Sequence, residues 1–511
     1  MSHFRKKFPF TLAFTTGMCI MAVELTASRL LAPFFGTSLF VWTNVIAVIM
    51  VALAVGYWLG GKISERRPEL TVLLKIVLLG GILCFIIPFI TEPFSILLLK
   101  DISAVTSASW LILIGSFAAT LLLFFLPIML LGMTSPYLIK IISITHPDVG
   151  NVAGTVFAVS TIGSIVGTFL PSIIFISWIG SKKTILVFAV ILILISAVGL
   201  ARRKHYAYLG LIIFTLGPIV IPASLRPEAA TILETESVYQ YIQVQEHQGM
   251  RYLVYNEGTG TQSVYHPDKI ITGHMYFDIM AASPALFEDN DIDVLNIGLA
   301  GGTAVRSMTH LFDGYKEINI DGVEIDSKVV GIAQEYFDLN LDNLNIFVED
   351  GRIFSRSSNK TYDLILVDAY SNQIYIPWHL TTDEFFSELE GLLNEKGIVA
   401  LNLNATSNES ELYQAVTNTM AHNFDYVFSA PIPGSFNYLI FASNQSIEFR
   451  DLLGHEAIGS NQELANLIMY LVENVEAIMY NQEHILLTDD RAPVEHMTDQ
   501  MYWEYIINNI K

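Results

Sequence analysis

Four short clusters in the second half of the chain hold residues able to do chemistry. Gly298-Leu-Ala-Gly301-Gly302 follows the apolar run Val294–Ile297, and Glu324-Ile-Asp326 ends a second such run. Glu349-Asp350-Gly351 closes a third and Asp368-Ala-Tyr370 a fourth. Glycines let backbone N–H groups approach a ligand, and a helix that starts there offers a partly positive end. An acid roughly 20 residues further on can accept hydrogen bonds from both hydroxyls of a ribose. A lone acid on so acidic a chain is usually solvated surface, but three delivered to one rim by consecutive strands point to a site. Such a rim would repel a phosphate chain, so the expected ligand is a cationic or hydroxyl-rich nucleoside.

These clusters need strands to carry them. Strand-like runs at Val294–Ile297, Ile318–Ile325, Leu344–Val348, Tyr362–Val367 and Gly397–Asn402 alternate with helical stretches at Thr303–Leu311, Lys328–Phe337 and Thr382–Leu393. Repeated strand–helix units predict a doubly wound parallel sheet, which binds ligands at the carboxyl ends of its strands. Ahead of it, Val238–Val244 and Tyr252–Tyr255 flank His247-Gln-Gly249 and read as a β-hairpin. Asp425–Ala430 and Phe436–Ala442, joined by Pro431-Ile-Pro-Gly434, read as a closing antiparallel pair.

The first half is a different object. The chain of 511 residues is 52% hydrophobic and only 15% charged, where soluble proteins carry about 25%. Residues 1–225 hold 15 Lys and Arg against 6 Asp and Glu, and the remaining 286 hold 13 against 43. That division excludes a single globular domain, a secreted disulfide scaffold and a nucleic-acid binder. Apolar runs at about 10–32, 39–61, 72–98, 108–138, 151–179, 184–200 and 206–224 are each near the ~20 residues that cross a bilayer. Arg5, Lys6, Lys7, Lys62, Arg66, Arg67, Lys140, Arg202, Arg203 and Lys204 gather on one side, against Lys100, Lys182, Lys183 and Arg226 on the other. The amino terminus is therefore expected in the cytoplasm. Seven crossings then put the acidic half outside, although 206–224, with Pro218 and Pro222, can also be read as a re-entrant segment. Glu24 and Arg29 inside the first run are either an internal ion pair or part of a substrate path. The spacings Gly56/Gly60 and Gly163/Gly167 suit close helix packing. Cys19 and Cys84 both lie within runs, and neither disulfides nor a metal site are expected.

As an ordered set, Asn296-Ile-Gly-Leu-Ala-Gly-Gly-Thr303, Gly322-Val-Glu-Ile-Asp326, Val348-Glu-Asp-Gly351 and Tyr362-Asp-Leu-Ile-Leu-Val-Asp368 resemble the nucleoside-binding motifs of spermidine synthases. Tyr252-Leu-Val-Tyr-Asn256, Gln262, Tyr276-Phe-Asp278, Ile376-Pro-Trp-His-Leu-Thr381 and Leu487-Thr-Asp-Asp490 agree over residues 232–500. Ser28-Arg-Leu-Leu-Ala-Pro33 and Gly56-Tyr-Trp-Leu-Gly60 are similar to a branch of these polyamine aminopropyltransferases that is fused to a membrane domain. The resemblance implies a multi-pass α-helical bundle followed by an α/β, class I methyltransferase-like (Rossmann-like) domain with an N-terminal β-hairpin region. The domains expected are a transmembrane one over 1–225, a small β-rich substrate-side region over 232–290, a nucleoside-binding catalytic domain over 291–445 and a helical extension over 446–511.

It also implies roles. Glu324 would hold the ribose and Asp350 the adenine amino group, with Gly298, Gly302, Asp326 and Gly351 completing the donor side. Asp368 would take the proton of the attacking amine, helped by Tyr276. Gln262, Asp278, Tyr370, Ser371 and Asp489 would face the acceptor, and Tyr375 and Trp378 either wall a polyamine channel or simply pack. Gly301 stands where the family's aspartate grips the donor's amine. Ser371 replaces a second acid of the catalytic loop, and Phe277-Asp278 its His/Gln-Glu pair. The implied function is aminopropyl transfer from decarboxylated S-adenosylmethionine to an amine. Ordinary S-adenosylmethionine with another or membrane-delivered acceptor, and a transporter or sensor with a nucleoside- or polyamine-binding domain, stay open. The partners implied are a polyamine or other amine and the lipid bilayer, with no nucleic acid; a homodimer is compatible. Cytosolic donor supply favours a cytoplasmic catalytic half, against the loop-charge reading.

Overall fold

A computed structural model describes residues 3–99, 109–203, 205–210, 215, 224–226, 230–256, 260–271, 273, 275–370, 374–450 and 461–509. The chain divides into two compact units, residues 1–229 with 234–242 and residues 230–233 with 243–511.

The first unit is a bundle of long apolar helices: α1 (His3–Phe35), α2 (Leu39–Arg66), α3 (Leu70–Leu99), α4 (Ser109–Gly132), α5 (Thr134–Ser143), α6 (Val149–Phe169) and α7 (Ile176–Ala201). Among the described residues five stretches are long and apolar enough to cross a membrane, the mark of a multi-pass membrane protein. The fifth, Val149–Ala201, covers two of the runs expected from sequence. Its 53 residues would measure about 80 Å if straight, against a hydrocarbon core of about 30 Å. Gly180 resolves this, because its φ of +79° breaks the helix there. Most of the run 206–224 lies outside the described residues.

Small residues set the packing. A Cβ on Gly163 or Gly167 of α6 would stand 2.1 or 1.9 Å from the carbonyls of Phe14 and Met18 on α1. Gly56 and Gly60 face the carbonyls of Met129 and Met133 in the same way, at 2.4 and 2.6 Å from a Cβ. Asn44 is absorbed by packing too, donating to the Leu113 carbonyl and the Ser116 hydroxyl, each at 2.8 Å. The expected Glu24–Arg29 ion pair is absent among the described residues. Five positions on one helix are about 140° apart, so the two side chains diverge. Arg29 donates to the Val238 carbonyl instead.

The two ends of the bundle differ. At one, the Tyr137 hydroxyl donates to the Arg67 carbonyl and Arg203 to the Thr71 hydroxyl. At the other, Lys182 meets Glu92 at 3.7 Å and the Ser224 carbonyl, and Arg226 donates to the Pro33 carbonyl at 3.1 Å. Glu236 is there as well, accepting from the Ser181 N–H and hydroxyl at 2.5 Å each, and Glu234 accepts from Ser224 and Leu225.

A four-stranded sheet follows, ordered β1 (Thr231–Glu236), β2 (Tyr241–His247), β3 (Met250–Tyr255), β4 (Thr261–Tyr265). The expected hairpin is its β2–β3 turn, made by Gln248 and Gly249 at φ +52° and +81°. Such positive values suit the tight turns whose twist matches the flanking strands.

The second unit centres on an eight-stranded sheet. Its strands are β5 (Asp291–Ile297), β6 (Glu317–Val323), β7 (Leu344–Phe347), β8 (Tyr362–Val367), β9 (Leu393–Asn404), β10 (Tyr426–Pro431), β11 (Asn437–Ser443) and β12 (Glu476–Ile478). The order is β12-β10-β11-β9-β8-β5-β6-β7. The five strands from β9 to β7 pair in parallel, and β10, β11 and β12 close the edge antiparallel. The helices are α8 (Tyr276–Ala281), α9 (Thr303–Leu311), α10 (Ser327–Tyr336), α11 (Gly351–Ser357), α12 (Asp383–Glu390), α13 (Glu411–Asn423), α14 (Gln462–Asn474) and α15 (Val494–Asn509). Alternate strand residues face opposite layers. Val294, Ile320 and Leu364 pack with Val305 and Met308 of α9, while Leu295, Ile365 and Val367 pack with Phe385 and Leu389 of α12. Sequence merged the end of α12 with the start of β9, because Leu392 and Leu393 continue its apolar spacing.

Candidate active site

The parallel strands bring their carboxyl ends together where the neighbours of β5 lie on either side of it, the switch point of such sheets. Gly298 leaves β5 at φ +88°, and a Cβ there would sit 2.4 Å from the Asp368 carbonyl. Gly302 caps α9 in the left-handed region at φ +75°, where a Cβ would meet Leu339 at 2.3 Å. The loop between these two glycines turns inward to the acids. Glu324, 7% exposed, accepts the Ala300 N–H at 2.9 Å and the Asp326 N–H at 3.0 Å. Burial pushes its carboxyl up to about 7, although those N–H groups favour the charged form.

Asp326 caps α10 through the Lys328 N–H at 3.0 Å. Its other oxygen is buried without a hydrogen-bond partner among the described residues. Asp350 caps α11, accepting from the Arg352 and Ile353 N–H groups at 2.9 and 3.0 Å, with Gly351 as first helical residue. Asp326 and Asp350 thus each follow a strand and open a helix at the carboxyl edge of the sheet.

Asp368 follows β8 and lines a narrow cavity with Gln262, Phe277, Asn296, Gly298 and Gly302. Burial pushes its carboxyl up to about 7, offset by hydrogen bonds from the Asn402 amide and the Tyr276 hydroxyl. The amide lies 2.8 Å from Oδ1. Burial also raises the Tyr276 hydroxyl well above its ordinary value, so that it remains a donor. Tyr370 turns back to the sheet, donating to the Asn402 carbonyl at 3.0 Å and accepting the Asn404 N–H at 2.8 Å.

Other expected residues are engaged elsewhere. Asp278 is fully buried and caps α8 through the Met275 N–H at 3.2 Å. Asp489 binds Arg352 at 2.5 Å and the Thr382 hydroxyl at 2.8 Å, and Arg352 holds its carboxyl below the usual range. Tyr375 is buried and donates to Asp499 at 2.5 Å, so it packs, while Trp378 is exposed. Ser371 lies outside the described residues. No group of three metal-ligating side chains converges among the described residues.

Two features escaped the sequence. The Ser263 hydroxyl accepts the Gly301 N–H at 2.8 Å, and a Cβ on Gly301 would stand 2.6 Å from its Cβ. Ser263 therefore occupies the space a side chain at 301 would need. Asn402, 1% exposed in an apolar strand, is the other. Its signal was available, a polar residue between Leu401 and Leu403.

A largely parallel sheet with a glycine loop after β5 and acids after β6, β7 and β8 is a Rossmann-like α/β arrangement. Residues 273–449 match the family model described as spermine/spermidine synthase domain. The chain is 33% identical over 293 residues to a probable polyamine aminopropyl transferase of Bifidobacterium longum, covering 52% of this chain and 63% of that one. It is 30% identical over 280 residues to the polyamine aminopropyltransferase of Vibrio vulnificus, covering 52% of this chain and 91% of that protein. Among solved structures, a probable spermidine synthase from Corynebacterium glutamicum covers 52% of this chain at 16% identity, with a TM-score of 0.41. The chain belongs to the polyamine aminopropyltransferase family.

Proposed function

We propose that the protein transfers an aminopropyl group from a decarboxylated S-adenosylmethionine-type donor to an amine, with Asp368 as the proton acceptor. The observation that carries this is Asp368 itself, enclosed beside the glycine loop with a carboxyl that titrates near neutral pH. A sulfonium makes its neighbouring carbon electrophilic. The amine nitrogen forms a bond to that carbon, the carbon–sulfur bond breaks, and neutral methylthioadenosine leaves. The amine's proton passes to Asp368, whose ionised form also stabilises the developing ammonium. Glu324 and the unpartnered oxygen of Asp326 suit the ribose hydroxyls, and Asp350 suits the adenine amino group. Asp278 and Asp489, already engaged, take no part in this scheme.

One observation favours a second donor. With Gly301 where the family has an acid and Ser263 filling the space beside it, the carboxylate that would repel the α-carboxylate of ordinary S-adenosylmethionine is replaced. The two readings separate on product. Purified protein incubated with each donor and with putrescine, spermidine or cadaverine is expected to release methylthioadenosine. S-adenosylhomocysteine would show methyl transfer instead, and neither product would remove the enzyme reading.

Charge at the two ends of the bundle supports one reading of the side of the membrane. The segments 224–226 and 234–238 join the end that holds Lys182 and Pro33, opposite the end crowded with basic residues. Lys and Arg bias toward cytoplasmic loops, which supports a catalytic unit facing away from the cytoplasm. An impermeant protease applied to right-side-out vesicles is then expected to cleave it. Protection would place it in the cytoplasm, with the donor pool.

A further inference from the structure

Asp368 is gripped from two elements. In the parallel pairing of β8 with β9, Val367 stands beside Leu401, so Asp368 and Asn402 are the next pair along. Asn402 donates to Asp368 Oδ1 at 2.8 Å, and Tyr276 reaches the same carboxylate from α8. Asn402 is itself fixed. Its side-chain oxygen accepts from Asn437 Nδ2 at 2.9 Å, and its backbone carbonyl accepts from the Tyr370 hydroxyl at 3.0 Å. That leaves one consistent orientation, since the reverse would set an amide oxygen against a carboxylate oxygen. A buried amide between Leu401 and Leu403 costs desolvation that an aliphatic residue would avoid. The hydrogen bonds it makes offset that cost, and they converge on one carboxylate.

We propose that Asn402, backed by Asn437, is a positioning residue for proton transfer. It occupies one lone pair of Oδ1 and favours the charged form, leaving the carboxylate's remaining lone pairs to Tyr276 and the attacking amine. This rests on the reading of Asp368 as proton acceptor. The other titratable groups facing Asp368 are Tyr276 and Tyr370, with Tyr255 behind Tyr276; no cation offsets the charge among the described residues. The amide is therefore a main support of the ionised state, working against burial.

The test compares wild type with Asn402→Ala, Asn402→Ser and Asn437→Ala in the detergent-solubilised full chain. A hydrogen bond to a charged group corresponds to a shift of about one to two pH units. In Asn402→Ala the acid limb of kcat/KM is expected to rise by that amount, with the donor KM within about twofold. Asn402→Ser keeps a donor and should lie nearer wild type, and Asn437→Ala should shift in the same direction by less. Calorimetric binding of putrescine over the same pH range needs no turnover. If no amine is a substrate, aminopropyl transfer fails as a function, yet the binding midpoint still reports on Asn402. A folded Asn402→Ala with an unmoved midpoint overturns the proposal, as do Ala and Ser variants that shift equally.

Discussion

The Glu324 carboxylate accepts the Ala300 N–H at 2.9 Å, tying the end of β6 to the glycine loop that leaves β5. Ala300 holds φ +48°, a left-handed conformation that costs a residue with a Cβ. The same acid thus steadies a strained loop and, in the proposed function, holds the nucleoside. Glu324→Gln keeps the shape and loses the charge. Donor KM is expected to rise about 10- to 100-fold, with a smaller change in kcat. Steady-state kinetics check this, and a fall in kcat alone would contradict a nucleoside-holding role.

Asp368 must be ionised to accept a proton, so activity should rise with pH through about 7. Asp368→Asn is expected to lower kcat by about 10²–10⁴-fold and to abolish that limb. Stability moves the other way. A carboxyl whose folded value is raised binds its proton more tightly in the native state, so its contribution falls as pH climbs from about 4 to about 7. Asp368→Asn should therefore melt higher than wild type at pH 8, with the difference vanishing near pH 4. Equal melting temperatures at pH 8 would deny that burial raises this carboxyl.

Gly301→Asp should not simply restore an amine anchor. The new Cβ would meet Ser263 at 2.6 Å and break its bond with the Gly301 N–H. The single variant is expected to lose activity and thermal stability. Combined with Ser263→Gly, it should recover both and shift donor preference toward the decarboxylated form. Competition between the two donors measures that shift, and a fully active single variant would refute the packing argument.

Arg352, 6% exposed, binds Glu388 at 2.9 Å and Asp489 at 2.5 Å, joining α11, α12 and the segment before α15. Arg356 also pairs with Glu388 at 2.8 Å and Asp489 at 3.6 Å, so both acids keep a cation when Arg352 is removed. Arg352→Ala is expected to destabilise the second unit by about 1.5–3 kcal/mol through its lost charged hydrogen bonds, read as an early transition in thermal melting. Because Arg352 lies on the helix that Asp350 caps, two residues after it, donor binding should weaken as well. A change under about 0.5 kcal/mol, typical of a surface position, would show that the cluster is not structural.

In the bundle, Gly167→Leu would drive a side chain into the Met18 carbonyl, which already lies 1.9 Å from an ideal Cβ. Separation of α1 from α6 is expected, with loss of monodisperse protein in detergent. Gly154→Leu, at a position with open space, serves as the control and should behave as wild type. Equal behaviour of the two variants would remove close helix packing as the role of these glycines.

The sequence alone determined the broad division and which acids follow the parallel strands. Uninterrupted apolar runs announce bilayer helices because nothing else can bury them, and strand–helix alternation announces a parallel sheet. Gly298, Gly302, Glu324, Asp350 and Asp368 were legible because each must sit at a strand end, a position that spacing reveals. Other facts needed three dimensions. That Gly180 breaks a 53-residue helical run depends on one dihedral, and that Arg29 turns from Glu24 depends on what lies across the bundle. Asp489 resembled a substrate acid until Arg352, 137 residues away, claimed it. Asn402 gained its meaning only when β9 lay beside β8, since register between strands distant in the chain decides which side chain stands opposite Asp368.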